Sequence, residues 1–160
     1  MDLAERTAEV RRTSVGWMIQ RLARRLDDEM SRRLSAHGLS IQSFAVLMTV
    51  LERGPLTQTE IGQHFGMPAY AISRALDALS EAGVVKRQPH PTSRRAHSVE
   101  ATARAEALAP ILHGIVAEVN AALMAGLPPE DRAALCRILS GLVGDLGPCG
   151  HGQREPGSRE

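Results

Sequence analysis

Several features that identify common classes of protein are scarce or missing in this 160-residue chain. It has only two cysteines, Cys136 and Cys149, which are too few for a disulfide framework. The N-terminus, which begins Met1-Asp2-Leu3, lacks the apolar core of a signal peptide. No apolar run approaches the length of a membrane span. We therefore expect a cytoplasmic protein with no membrane partner.

A strong charge of either sign is also missing. Nineteen basic residues nearly balance eighteen acidic ones, and the formal net charge is +1. Nucleic-acid-binding domains are often more basic than this, so any electrostatic footprint has to be local. Lys86 is the only lysine. The remaining basic residues are arginines, which can fork onto phosphates and guanine edges, although genome composition alone would produce the same bias.

Motifs for catalysis and for metal or cofactor binding are missing too. The six histidines show no metal-ligand spacing. No phosphate-binding glycine loop, nucleophile elbow or pair of catalytic carboxylates stands out. Cys149 and His151 resemble half a metal site without partners, and Cys136 is expected to be buried and inert. The sequence therefore predicts no enzyme, no metal and no cofactor.

Helical periodicity is what the chain does have, and it is clearest at the two ends. Apolar residues recur at steps of three and four through residues 7–36, which predicts one long amphipathic helix. Residues 103–146 predict two more such helices. Thr102 caps the first of them, and Pro110 either kinks it or splits off its first turns. Residues 147–160, rich in glycine, proline and charge, predict a disordered tail.

Between these ends, residues 41–102 predict a helix, then two short helices joined by a tight turn, then a β-hairpin. Thr57 and Glu60 form a capping box that begins the first short helix. Gly66 provides the left-handed residue of the turn, and Pro68 suits the first turn of the following helix. This helix-turn-helix arrangement is typical of proteins whose second helix enters a DNA major groove.

The hairpin follows Gly83, which closes the second helix. Residues 84–88 and 96–101 predict its two strands, and the loop between them holds Pro89, Pro91, Thr92 and Ser93. Five basic residues and one acidic residue lie between positions 84 and 104, a local excess that the whole-chain charge conceals. Such a hairpin is a wing, which can reach the DNA backbone or minor groove beside the helix.

The terminal helices carry apolar stripes that a small winged helix cannot cover. The simplest way to bury them is to pair both ends with each other and with a second copy of the chain. We expect one domain over residues 7–146, with 41–102 as the DNA-binding lobe and with 7–36 and 103–146 as dimerisation helices. The predicted fold is mainly α with a small β-wing, a winged helix-turn-helix flanked by N- and C-terminal dimerisation helices.

The order of these parts resembles the MarR family of transcriptional regulators. The family pattern Leu-Thr-Gln-x-Glu-Leu/Ile is matched by residues 56–61. Its recognition-helix pattern, Thr-Val-Thr/Ser-Arg-x-x-Asp-x-Leu, is matched in part by residues 71–79, and its Gly-Leu/Val-Val-x-Arg by residues 83–87. The resemblance covers about residues 7–146. It implies a regulator that binds double-stranded DNA as a homodimer.

Three positions depart from the family pattern. Ser93 stands where the wing usually carries an aspartate, so a salt bridge that typically steadies the wing is absent. Ala101 replaces a leucine, which weakens the apolar anchor of the return strand. Ala105 replaces a glycine, which favours the helix. The wing is therefore expected to differ most from its relatives.

The candidate DNA contacts lie at the start of the first short helix, on the recognition helix and on the wing. Arg74 can fork onto guanine, or it only pairs with Asp77 on a solvated face. Thr57 begins a helix whose start can dock a phosphate, although capping alone would explain it. The resemblance makes Arg95 the wing arginine that enters the minor groove. The alternative is an ordinary solvated loop. The predicted set is Thr57, Gln58, Ala69, Tyr70, Ser73, Arg74, Arg87, Arg94 and Arg95.

A second candidate site surrounds Trp17, the only tryptophan. It lies one turn before Arg21 and off the aliphatic stripe of its helix. In the family that the chain resembles, small anionic or aromatic effectors often bind between the dimer helices and the DNA-binding lobe. Trp17, Arg21, Phe44 and Met48 could line such a site. An isolated tryptophan more often packs in a core or an interface.

Together these patterns predict a transcriptional regulator. We expect a repressor that acts as a homodimer on a pseudo-palindromic operator and that a small aromatic or anionic effector releases. The alternative is a winged helix used as a protein-interaction module without specific DNA binding, which the near-neutral charge allows.

Overall fold

The computed structural model describes residues 2–90 and 93–145, and their side chains except at positions 90, 93–96 and 145. The predicted disordered tail, residues 147–160, lies outside the described residues. Within the described part the elements follow one another as α1 (Leu3–Thr13), α2 (Val15–Ser35), α3 (Ile41–Arg53), β1 (Leu56–Thr57), α4 (Gln58–Phe65), α5 (Ala69–Glu81), β2 (Val85–His90), β3 (Ser93–Ala101), α6 (Ala103–Met124) and α7 (Pro129–Asp145).

The N-terminal segment is two helices, so the prediction of a single long helix is wrong. Asp2 and Glu5 form a capping box that begins α1, ahead of the predicted start. Ser14 is extended, with φ −71° and ψ 113°, and its hydroxyl accepts a hydrogen bond from the Trp17 N–H at the start of α2. Serine occurs inside helices as well as at their caps, so the sequence pattern does not reveal this break.

The three helices of the middle module begin and end close to where the sequence predicts. Ser40 caps α3 through a hydrogen bond from the Ser43 N–H, and Gly54 ends it with φ 80°. The two-residue strand β1 was not predicted. It pairs with β3, and β3 pairs with β2, in an antiparallel sheet of order β1-β3-β2.

The strands of the wing are longer than predicted. β2 includes Pro89 and β3 includes Ser93, although both residues were expected in the loop. Pro89 lies opposite His97, and the register shifts between Pro89 and His90. A proline is tolerated here because β2 is an edge strand, so one side of its backbone needs no partner. Loop positions 91 and 92 lie outside the described residues.

The hydrophobic core is shared between the DNA-binding lobe and the terminal helices. Fully buried side chains come from α2 (Leu34), α3 (Leu47), α4 (Ile61), α5 (Leu76) and α6 (Leu112). Burying a side chain of this size stabilises the fold by roughly 1.5–3 kcal/mol relative to leaving it exposed. The helix-turn-helix therefore packs on three helices outside it, α2, α3 and α6.

Helix α6 runs unbroken through Pro110, so the predicted split is wrong. By length and composition alone, with a mean hydropathy of 1.5 over one window, α6 would also suit a membrane span. This corrects the expectation that no apolar run approaches that length. Its buried residues Leu112, Ile115 and Val119 belong to the core of the fold, although only 17% of the apolar window is buried within this chain.

Helix α7 is the second of the two helices predicted within residues 103–146, and it begins at Pro129 with Glu130 and Asp131 in its first turn. Cys136 is exposed, which corrects the expectation that it is buried. The reason is that α7 packs little against the rest of this chain, and none of its described side chains is fully buried. Its exposed apolar residues are Ile138, Leu139, Leu142 and Val143.

Candidate nucleic-acid interface

The helix-turn-helix begins with the predicted capping box, which is confirmed. The Thr57 hydroxyl accepts a hydrogen bond from the Glu60 N–H at 3.2 Å. One Glu60 carboxylate oxygen accepts from the N–H and the hydroxyl of Thr57 at 2.7 and 2.8 Å. Thr57 also lies opposite Ser98 in the sheet. Thr57 therefore fixes the start of α4 to the wing, while its contact with DNA stays a prediction.

A tight turn at Gly66 joins α4 to α5. Gly66 adopts the left-handed conformation, with φ 59° and ψ 27°, as predicted. Gly62 lies against this turn, because a Cβ atom there would come within 3.4 Å of the Met67 carbonyl oxygen. The Met67 N–H donates to the Gly62 carbonyl at 3.1 Å. The lack of a side chain at Gly62 lets the turn pack closely on α4.

The recognition helix α5 has one buried and one exposed face. Pro68 is its N-cap, one residue before the first turn where it was expected, and no side chain caps the helix. Tyr70 is 71% exposed, Ala69 and Arg74 are also exposed, and Ser73 is partly buried. The buried face consists of Ile72, Ala75, Leu76 and Leu79.

Asp77 of α5 pairs with Arg87 of β2. The Arg87 Nη2 atom lies 2.7 Å from the Asp77 Oδ1 atom, and this pair joins the recognition helix to the wing. The alternative in which Asp77 holds Arg74 is therefore wrong. Arg74 has no ion pair or hydrogen bond among the described side chains, so its guanidinium is available to a phosphate or a guanine.

The wing holds fewer free positive charges than the sequence count suggests. The Lys86 Nζ atom lies 3.1 Å from the Glu100 Oε2 atom, and Arg87 is paired with Asp77. Arg94 and Arg95 belong to β3 by their backbone, and their side chains lie outside the described part of the structure. The positive footprint near α5 therefore depends on a few residues rather than on the whole segment.

Two glutamines contact the start of α5 in ways that the sequence analysis missed. The Gln58 Nε2 atom donates to the Ala69 carbonyl at 3.2 Å, although Gln58 was predicted to contact phosphate. The Gln42 Nε2 atom donates to the Met67 sulfur at 3.1 Å, and Gln42 was not among the candidates. No local sequence signal identifies these contacts, because the partners are 11 and 25 residues apart.

Shallow grooves flank α5 on both sides, so the helix forms a ridge that suits a DNA major groove. One groove lies between α3 and α5 and is lined by Ser40, Gln42, Ser43, Tyr70, Ala71, Arg74, Ala75 and Ala78. The other lies between α4 and α5 and is lined by Gln58, Thr59, Gly62, Gln63, Met67 and Ala69.

The four candidate effector residues lie on two helices. Trp17 and Arg21 are exposed on α2, while Phe44 and Met48 of α3 pack against the core. The Arg11 guanidinium carbon lies 5.9 Å from the centre of the Trp17 ring, within cation–π range. None of the four lines either groove beside α5, and their role in binding an effector stays a prediction.

An ion-pair cluster joins α2 to α6. Glu29 accepts hydrogen bonds from Arg32 and Arg33 at 2.6 and 2.7 Å, and Arg33 also pairs with Glu118 of α6. The hydrogen bonds from Arg32 and then Arg33 lower the pKa of Glu29 from 4.5 to about 2. In the described part of the chain, no group of three or more His, Cys, Asp or Glu residues could hold a metal ion.

Comparison with known proteins finds similarity to regulators of transcription. The sequence model of the MarR family matches residues 37–96, which run from before α3 into β3. HTH-type transcriptional repressors of Mycobacterium tuberculosis and Mycobacterium bovis are each 28% identical to the chain over 131 residues. These matches cover 82% of this chain and 94% of each relative.

Solved structures share the fold. A MarR transcriptional regulator from Methanosarcina mazei Go1 has a TM-score of 0.76 at 20% identity, and the match covers 82% of this chain and 95% of that one. A cysteine-to-serine mutant of MarR from E. coli, complexed with operator DNA, has a TM-score of 0.70 at 23% identity and covers 89% and 99%. These structures have the same winged helix-turn-helix architecture.

Proposed function

Because this chain is a winged-helix protein of the MarR family, we propose that it is a transcriptional repressor that binds a pseudo-palindromic operator as a homodimer. A small aromatic or anionic effector releases it, and it acts in the cytoplasm. The observation that carries the proposal is the outward face of α5, where Tyr70 and Arg74 are exposed. Arg74 is unpaired among the described side chains.

DNA recognition follows from the chemistry of that face. A guanidinium can form two parallel hydrogen bonds to the O6 and N7 atoms of guanine, and Arg74 lies in the N-terminal half of α5 that meets base edges. Tyr70 adds an aromatic ring and a hydroxyl one turn earlier. Ala69 and Ser73 are small enough to let the helix approach the bases, and Arg94 and Arg95 are proposed as the contacts of the wing.

Similar proteins support repression as the direction of regulation. The mycobacterial proteins that match along 94% of their length are described as transcriptional repressors, and the E. coli MarR mutant of similar fold was crystallised with operator DNA. Repression through an operator is therefore the function that we propose for this chain.

The proposed dimer buries the apolar faces that a single chain leaves open. Val15, Met18 and Ile19 are exposed on α2, and Leu142 and Val143 are exposed on α7. Helices from both ends of the chain, paired with a second copy, would cover both sets. Two recognition helices would then enter successive major grooves roughly 34 Å apart.

Selection of binding sites from random duplex DNA tests the proposal. We expect a pseudo-palindromic winner that binds the wild-type chain more tightly than random duplex at physiological salt. Arg74→Ala should lose on the order of 1–3 kcal/mol of discrimination at one base pair of each half-site. Arg24→Ala, which removes an equal charge from an exposed position on α2, is the matched control and should bind as the wild type does.

Three outcomes would redirect the proposal. Equal binding of the selected and random duplexes would exclude sequence-specific regulation. Absence of DNA affinity even at low salt would favour the protein-interaction module instead. If Arg95→Ala binds unchanged, the wing assignment is wrong and the recognition helix stands alone.

The effector part of the proposal has its own probe, because Trp17 is the only tryptophan. An aromatic anion such as benzoate, bound beside Trp17 and Arg21, should change the tryptophan fluorescence and weaken operator binding over the same concentration range. Arg21→Ala should shift both curves to higher concentration. A fluorescence change without any change in operator binding would separate the site from regulation.

A further inference from the structure

The start of the recognition helix differs from the starts of α1, α2, α3, α4 and α6. Pro68 is its N-cap and offers no side-chain hydrogen bond, since a proline side chain has no acceptor. The Ala71 N–H closes the first turn on the Pro68 carbonyl at 3.0 Å. By contrast, side chains cap α1, α2, α3, α4 and α6 at Asp2, Ser14, Ser40, Thr57 and Thr102.

Two glutamines hold the uncapped segment from neighbouring helices. Gln58 of α4 donates to the Ala69 carbonyl on the C-terminal side of Pro68. Gln42 of α3 donates to the Met67 sulfur on the N-terminal side. A carbonyl and a thioether can only accept hydrogen bonds, so both glutamines must present their amide nitrogen.

Both glutamines project from helices that are anchored in the core. Gln42 lies one turn before the fully buried Val46 of α3, and Gln58 lies three residues before the fully buried Ile61 of α4. Neither backbone can shift without disturbing that packing. The two contacts therefore fix the first turn of α5 from two directions, α3 on one side and α4 on the other.

We propose that Gln42 and Gln58 are positioning residues for DNA recognition. They set the place and tilt of the first turn of α5, and through it the position of Tyr70 and Arg74 against the bases. This inference rests on the proposed function, in which α5 reads DNA. It gives Gln58 a role within the protein, in which one of its two amide N–H groups donates to the Ala69 carbonyl.

The decisive variants are Gln42→Met and Gln58→Met, which keep a long unbranched side chain and remove the donor. Each should weaken binding to the selected operator by on the order of fivefold, the worth of one hydrogen bond, and leave binding to random duplex unchanged. The ratio of the two affinities therefore falls. Gln63→Met is the matched control, since Gln63 lines the same groove as Gln58 without a described side-chain hydrogen bond.

A double-mutant cycle separates positioning from direct contact. If Gln58 acts through Arg74, the effect of Gln58→Met should largely disappear in an Arg74→Ala background. A phosphate contact would instead weaken operator and random duplex alike, and its effect would persist in that background. Amide hydrogen exchange gives a second readout in the free protein. The Ala71 and Ile72 N–H groups, which donate to the Pro68 carbonyl, should exchange faster in both variants, while that of Leu76 should not.

Failure of this inference differs from failure of the proposed function. If the wild-type chain shows no preference for any duplex, the proposed function is wrong. If the wild type discriminates and both methionine variants keep the wild-type affinity ratio, the positioning role is overturned. Equal losses on operator and random duplex would also overturn it, because they would indicate a phosphate contact.

Discussion

Arg87 shows how a basic residue beside the helix proposed to face DNA can act inside the protein. Its guanidinium is bonded to Asp77, so it links β2 to α5 and carries little free charge toward DNA. Arg74, which lies one turn before Asp77 on α5, has no such partner among the described side chains. These two arginines therefore differ in whether their guanidinium group is available to bind a phosphate.

Removal of Asp77 should release Arg87 to the DNA. We expect Asp77→Ala to raise the affinity for random duplex and to steepen the slope of log affinity against log salt by about one. The measurement is a binding titration at several salt concentrations. Asp28→Ala removes the same charge from an exposed position on α2 and should leave the slope unchanged. An unchanged slope in Asp77→Ala would show that Arg87 does not reach the backbone.

The capping box at Thr57 should matter for folding as well as for the site. Thr57→Ala removes the acceptor for the Glu60 N–H, and the loss of an N-cap costs about 1 kcal/mol of the free energy of unfolding. Urea denaturation measures this. Thr59→Ala is the control, because no described hydrogen bond involves the Thr59 side chain, and it should unfold close to the wild-type midpoint.

At the scale of elements, the sequence predicts what is local and misses what is distant. The bounds of α3 and α4 follow from caps at Ser40 and Thr57 and from Gly54 and Gly66, which act within a few residues. The break at Ser14 escapes because a serine can cap a helix or lie inside it. Strand β1 escapes because its two residues become a strand only by pairing with β3.

The candidate site divides in the same way. The exposed face of α5 follows from helical periodicity, so Tyr70 and Arg74 were predicted from sequence alone. The partner of Asp77 was not predicted from sequence, because the choice between Arg74 and Arg87 depends on where β2 lies beside α5. The bonds of Gln42 and Gln58 depend equally on how three helices pack, which no short pattern records.

The Glu29 cluster links α2 to α6 and gives stability a dependence on pH. The pKa of Glu29 in the folded chain is about 2, below its ordinary 4.5. The carboxylate therefore stabilises the fold fully above about pH 5, and this contribution is lost as the pH falls from there toward 2. Urea unfolding of wild type and Glu29→Gln should differ at pH 7 and converge only as the pH falls to about 2.

The direction of this prediction is checked with a second carboxylate. Glu52→Gln removes an exposed acid of α3 that has no described ion pair. A pH-dependent gap of the same size in that variant would show that the convergence reflects net charge rather than the bonds to Arg32 and Arg33.

At the scale of the whole molecule, the chain has a well-packed lobe and two terminal segments whose apolar side chains stay largely exposed. Val143 of α7 is 59% exposed and Val15 of α2 is 63% exposed. Most of the core lies instead beneath the helix-turn-helix. The proposed recognition surface is therefore built within one chain, while in the proposed dimer the spacing between two such surfaces depends on the partner.

A charge in the apolar face of α7 should separate the two copies. Val143→Glu is expected to convert the proposed dimer to a monomer in light scattering, because a carboxylate would have to be buried in the interface. Operator affinity should fall toward that of a single half-site, since the second contact is no longer tethered. Ser140→Glu adds the same charge at a polar exposed position of α7 and should remain dimeric. A dimeric Val143→Glu protein would exclude this face as the interface.

The break at Ser14 has a mechanical consequence for the N-terminal end. Helix α1 has eleven residues, so it is about 16 Å long. It is joined to α2 through one extended residue, Ser14. A change of about 20° in the Ser14 backbone angle would carry the far end of α1 through up to about 5 Å. The reach of Leu3 and Val10 toward another surface is therefore set by the torsion of a single serine.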